Sequence, residues 1–98
     1  MKRDAAIAAL KSEAEAVKAL GATALYLFGS TARDDASDAS DVDIFIEYEP
    51  DTQFSLIDLV GIKQHLEERL GSTVDITTRD GLHPLLRKRI ESSAERIF

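Results

Sequence analysis

Residues 22–48 read ATALYLFGSTARDDASDASDVDIFIEY, and this stretch decides the fold. Its first seven residues, Ala22 to Phe28, form an apolar run too short for a helix and stopped by Gly29, which predicts a buried strand. Its last seven, VDIFIEY, alternate strictly: Val42, Ile44 and Ile46 fall on one face of a second strand, and Asp43, Phe45 and Glu47 on the other. Between them lies a loop holding Asp34, Asp35, Asp38 and Asp41, with no basic residue after Arg33. Carboxylates crowded in this way repel one another, and a cation relieves them.

Outward from this centre, Ile7, Leu10, Ala14 and Val17 recur at spacings of three and four and predict one helix from about Asp4 to Leu20, closed by Gly21. After Glu49-Pro50-Asp51 stops the second strand, Ser55 opens S-L-I-D, a capping-box-like start with Asp58 in place of the usual Glu or Gln. Leu56, Leu59, Val60, Leu66 and Leu70 then predict a helix ended by Gly71. Thr73 to Thr77 reads as a third short strand. Pro84 fits the first position of a last helix whose inner face is Leu86, Ile90, Ala94 and Ile97. The order implies an α/β domain over residues 1–98: a small mixed sheet of three or four strands, helices mainly on one face, and the carboxylates on the other.

Composition narrows the functional classes. The 98 residues are 44% hydrophobic and 31% charged, values of a globular chain. There is no cysteine, which excludes disulfides and thiolate chemistry. No segment reads as a signal peptide or membrane span, so the expectation is a cytoplasmic protein with no membrane partner. A net charge of −6 argues against extended nucleic-acid binding, which needs a basic stripe.

The chemistry lies at the strand ends. Asp41 and Asp43 are two apart, so extended backbone puts both carboxylates on one face within about 7 Å. A hard divalent ion such as Mg²⁺ suits that pair, since it takes one or two carboxylates and completes its shell with water and phosphate oxygens. Gly29 at the end of the first strand lets a phosphate approach the backbone, and Ser30 offers an N–H and a hydroxyl. Together they read G-S-x10-D-x-D. On the third strand Val74 and Ile76 face the core, which turns Asp75 to the opposite face. His65 and His83 fit packing and turn roles.

These residues resemble the minimal nucleotidyltransferases of the DNA polymerase β-type superfamily. LFGSTAR and SDVDIFI are similar to that family's phosphate-binding turn and aspartate strand, VDITT to the strand carrying its third carboxylate, and LHPLLRKRIESSAERIF to its final helix. The resemblance implies a polymerase β-like catalytic core that transfers AMP from ATP. It implies two Mg²⁺ ions held by Asp41, Asp43 and Asp75, with Asp75 ligating the catalytic ion or taking the hydroxyl proton, and phosphates contacted by Gly29, Ser30, Arg33 and Ser40. Asp34 departs from the glycine many members have after the arginine. The chain adds almost nothing to the core, so the acceptor must come from elsewhere. By the resemblance it is a tyrosine of a cognate HEPN ribonuclease toxin, which makes this chain an antitoxin. The alternatives are a module that occludes its partner without turnover, and a homo-oligomeric transferase acting on a small antibiotic-type hydroxyl.

Overall fold

The computed structural model describes residues 1–33 and 41–98. Helices α1 (Arg3–Ser12) and α2 (Ala14–Ala19) lead into strand β1 (Ala22–Phe28), the single turn α3 (Gly29–Ala32) and strand β2 (Val42–Tyr48). Helix α4 (Leu56–Leu70), strand β3 (Val74–Thr78), a 3₁₀ turn (Arg79–Gly81), helix α5 (Arg87–Ser93) and strand β4 (Glu95–Arg96) follow. The sheet order is β3-β2-β1-β4. β1 runs antiparallel to β2 and β4, while β2 and β3 are parallel and joined through α4, so the sheet is mixed as expected.

One face of the sheet is the core. Val42, Ile44 and Ile46 meet Leu25 and Leu27 of β1, Val74 of β3, Ala6 and Leu10 of α1, Val17 of α2, and Ile62 and Leu66 of α4. Each large aliphatic buried there contributes roughly 1.5–3 kcal/mol. Among the described residues no helix is long and apolar enough to cross a membrane.

The termini of α4 follow the sequence closely. Ser55 Oγ accepts a hydrogen bond from the Asp58 backbone N–H, and the Asp58 carboxylate accepts one from the Ser55 N–H. Gly71 closes the helix in the left-handed conformation, φ 68°. Gly21 is likewise at φ 118°, and a Cβ there would stand 2.8 Å from the Phe54 ring.

Two expectations need correction. The first helix breaks at Glu13, whose carboxylate turns inward to within 2.7 Å of His65 Nε2 on α4. That partly buried polar contact competes with helical continuity. Pro84 sits in a turn rather than a helix, and α5 ends at Ser93. The last residues run extended instead: Ile97 N–H donates to Leu25 O at 2.8 Å, and Leu25 N–H donates to Phe98 O at 3.1 Å. Pairing with the open edge of β1 satisfies backbone groups that a longer helix would have left to water.

Candidate functional site

The second face of the sheet carries the candidate chemistry. Cross-strand partners share a face, and the register sets Phe28 opposite Asp43 and Tyr26 opposite Phe45. On the other side of β2, Asp43 pairs with Asp75 and Phe45 with Thr77. The two carboxylates are therefore neighbours because of the parallel register, and a slip of one residue would send Asp75 to the core face. Asp41 precedes β2 and is exposed, as is Asp75, while Asp43 is partly buried.

Gly29 explains how β1 ends beside this pair. Its φ is 74°, a left-handed conformation that disfavours a side chain, and a Cβ would collide with the Asp43 carboxylate. The missing side chain is what lets the strand-to-helix turn close against Asp43. Ser30 follows in α3, and Arg33 ends it.

The electrostatics are those of an under-compensated site. Burial pushes the Asp43 carboxyl above its ordinary range, Asp75 and then Asp41 push it further, and Arg33 counteracts them. The structure thus couples Asp41, Asp43, Asp75 and Arg33, and sets Gly29 and Ser30 in the adjoining turn. Ser40 lies outside the described residues.

Among the described residues no three acids or histidines are drawn together tightly enough to enclose an ion. Mg²⁺ needs fewer, because it keeps several waters and is bound through one or two carboxylates plus substrate oxygens. The Asp43–Asp75 pair and the raised Asp43, with Gly29 closed against the Asp43 carboxylate, are compatible with that requirement.

The same face holds residues that sequence reasoning missed. Phe45 points away from the core yet is fully buried, because Tyr26 stacks on it with ring centroids 4.6 Å apart and Phe28 tilts against it at 5.8 Å. The Arg79 guanidinium covers both Tyr26 and Phe45, at 4.9 and 5.1 Å from their centroids. Arg79 Nε lies 2.5 Å from Glu47, and its Nη1 pairs with Glu91 of α5. Burial works against the Arg79 charge, but Glu91 and Glu47 outweigh it and raise its pKa. An arginine directly after a strand of alternating pattern was the available signal. Thr31 is also fully buried, and its hydroxyl has no hydrogen-bond partner among the described residues. A cleft of about 380 Å³ opens beside Arg79, lined by Thr23, Glu47, Tyr48 and Asp80, at the end of β2 remote from Asp43.

A glycine-serine turn thus lies against two cross-strand aspartates on a mixed sheet. Residues 10–97 match the model of the nucleotidyltransferase domain family, and the chain belongs to that family. It is 46% identical over 68 residues to a Methanocaldococcus jannaschii protein that carries the provisional name protein adenylyltransferase MJ0435, covering 69% of this chain and 71% of that one. A solved structure described as a minimal nucleotidyltransferase superimposes with a TM-score of 0.75 at 33% identity, covering 97% of this chain and 95% of the other. The fold also matches, with a TM-score of 0.64 at 18% identity, a Shewanella oneidensis complex of a tri-AMPylated HEPN toxin with its MNT antitoxin; 90% of this chain and 68% of that one are covered. The chain is a nucleotidyltransferase.

Proposed function

We propose that residues 1–98 act as a single Mg²⁺-dependent nucleotidyltransferase domain that moves AMP from ATP to a protein hydroxyl in the cytoplasm. The acceptor is a tyrosine of a HEPN ribonuclease toxin, and the chain is its antitoxin. The observation that carries this reading is Asp43: a partly buried carboxylate, raised by two neighbouring aspartates, with Gly29 stripped of a side chain against it. Such an arrangement costs stability and is explained by a cation that relieves it. The similarity to MJ0435 supports protein as the acceptor class, and the fold shared with the HEPN–MNT complex supports the partner.

In this reading Asp41, Asp43 and Asp75 hold two ions, which when bound supply charge stabilisation to the attacking and leaving oxygens at the α-phosphate. Ser30 donates its N–H and hydroxyl to phosphate oxygens, and Gly29 allows them to come close. Arg33 and Ser40 add contacts to the phosphates. Asp75, the more exposed of the two paired carboxylates, takes the proton of the attacking tyrosine as its oxygen bonds the α-phosphorus and the bond to the leaving pyrophosphate breaks.

The test is transfer itself. Purified protein, a HEPN toxin as candidate acceptor, Mg²⁺ and ATP labelled at the α-phosphate are incubated, and label is followed on protein. Label on the HEPN protein that vanishes with EDTA and with Asp43→Asn is the expected result. Stable binding between the two proteins without label would replace transfer with occlusion, and label only on small hydroxyl acceptors would replace the protein acceptor.

A further inference from the structure

The turn α3, Gly29–Ala32, is the shortest α-helix among the described residues. A single turn fixes several dihedrals for very few hydrogen bonds and does not hold itself in water. At its end the Arg33 N–H donates to Gly29 O at 3.2 Å. Thr31 is fully buried, yet its hydroxyl makes no hydrogen bond among the described residues, so it anchors the turn by packing alone. The carbonyls that close the turn have no helical partner of their own and need a donor from elsewhere.

Arg3 supplies that donor. Its Nε donates to Ala32 O at 3.1 Å in a partly buried contact between residues twenty-nine apart in the chain. Nη2 of the same guanidinium lies 3.3 Å from the Glu95 carboxylate of β4, and Nη1 lies 3.2 Å from the exposed Asp4. Nε and Nη2 form one edge of the planar fork, so one side chain joins the turn to the edge strand. Glu95 is paired with Leu27, two residues before Gly29. Arg3 therefore ties the far end of α3 back to the strand from which the turn springs. Its own helix does not call for a cation: Lys2 and Arg3 stand at the N-terminal end of α1, where the dipole favours acids. At the closing carbonyl of α3 a cationic donor is favourable.

We propose that Arg3 is a positioning residue for the nucleotide. By fixing Ala32 O against β4 it keeps the Ser30 N–H and hydroxyl, and Arg33 beyond them, aimed at the phosphates, and it sets the affinity for ATP through the turn rather than by contact. The inference rests on the reading of α3 as the phosphate-binding turn. Asp43 and Asp75 are held by β2 and β3, so Mg²⁺ binding is expected to be independent of this brace.

Calorimetry tests it with two probes, Mg²⁺ alone and, in the presence of Mg²⁺, α,β-methylene ATP, which cannot be cleaved at the α-phosphate. Arg3→Ala should weaken binding of the ATP analogue roughly tenfold and leave the Mg²⁺ affinity unchanged. Arg3→Lys, which keeps the charge and loses the fork, should recover part of the loss, and Glu95→Gln should fall between wild type and Arg3→Ala. Circular dichroism melts accompany each variant. A residue that merely supports the fold would lower the melting temperature and leave both affinities of the folded chain in place, and that result would overturn the proposal; so would an equal loss of both affinities. Should Arg3→Ala fail to fold, Arg3→Lys and Glu95→Gln carry the same comparison. Ser30→Asp, which sets a negative charge where the phosphates are read to lie, separates the inference from its premise. Analogue binding that survives Ser30→Asp overturns both, whereas binding lost in Ser30→Asp and unchanged in the Arg3 and Glu95 variants overturns the role of Arg3 alone.

Discussion

β2 carries two carboxylates on the same face four residues apart, Asp43 and Glu47, and the molecule treats them in opposite ways. Glu47 lies against Arg79, which also binds Glu91 and covers the Tyr26 and Phe45 rings. Asp43 faces Asp75 and the empty side of Gly29, and its pKa is raised. One end of the face is neutralised by the chain itself, and the other is left in want of positive charge. Compensation, more than the presence of an acid, separates a structural carboxylate from one kept for a ligand.

Exchanging the two carboxylates for their amides tests this contrast most sharply. Asp43→Asn is expected to lower AMP transfer by roughly 10³-fold or more, the scale of losing a charge-stabilising group in phosphoryl transfer. Its melting temperature should stay level or rise. Glu47→Gln should keep transfer and lose about 1–3 kcal/mol of stability in denaturant titrations, the cost of leaving part of the Arg79 charge unmatched. If both variants lose activity and stability alike, the contrast fails.

Gly29→Ala probes the boundary between the ends. Its left-handed backbone and the collision with Asp43 are expected to cost on the order of 1–3 kcal/mol and to reduce Mg²⁺ binding, read by calorimetry.

A smaller effect should appear with pH. Because the Asp43 pKa is raised in the folded state, the native chain binds more protons than the unfolded one between the ordinary aspartate value and the raised one. Stability should therefore fall as pH rises through that window. The decline should be shallower in Asp43→Asn and in the presence of Mg²⁺, whereas Glu47→Gln should follow the wild-type slope. The control that touches neither carboxylate is Ser55→Ala, which removes the cap of α4 and should cost about 1 kcal/mol with transfer unchanged.

Much of this was legible in the residues. β1, β2 and β3 were readable from a short apolar run and two period-two patterns, and the α4 caps from Ser55, Asp58 and Gly71. Local chemistry alone sets those features. Asp75 could be turned to the correct face from Val74 and Ile76, but its pairing with Asp43 depends on a parallel register that no local pattern encodes. The break at Glu13 escaped because its cause, His65, lies fifty-two residues away. The terminal strand escaped for a similar reason: Leu86, Ile90, Ala94 and Ile97 have helical spacing, yet the edge of β1 offers hydrogen bonds that outweigh it. Arg79 was missed because its partners come from β1, β2 and α5 together.

The stacking of Tyr26 on Phe45 also gives the molecule a built-in optical probe. The chain has no tryptophan and two tyrosines, so its intrinsic emission comes from Tyr26 and Tyr48 alone. Tyr26 lies beneath Arg79 on the aspartate face, while Tyr48 stacks on Phe54 with centroids 4.7 Å apart. With Tyr48→Phe the fluorescence becomes that of a single ring on the aspartate face, and a change in it on adding ATP would report nucleotide binding there without a label.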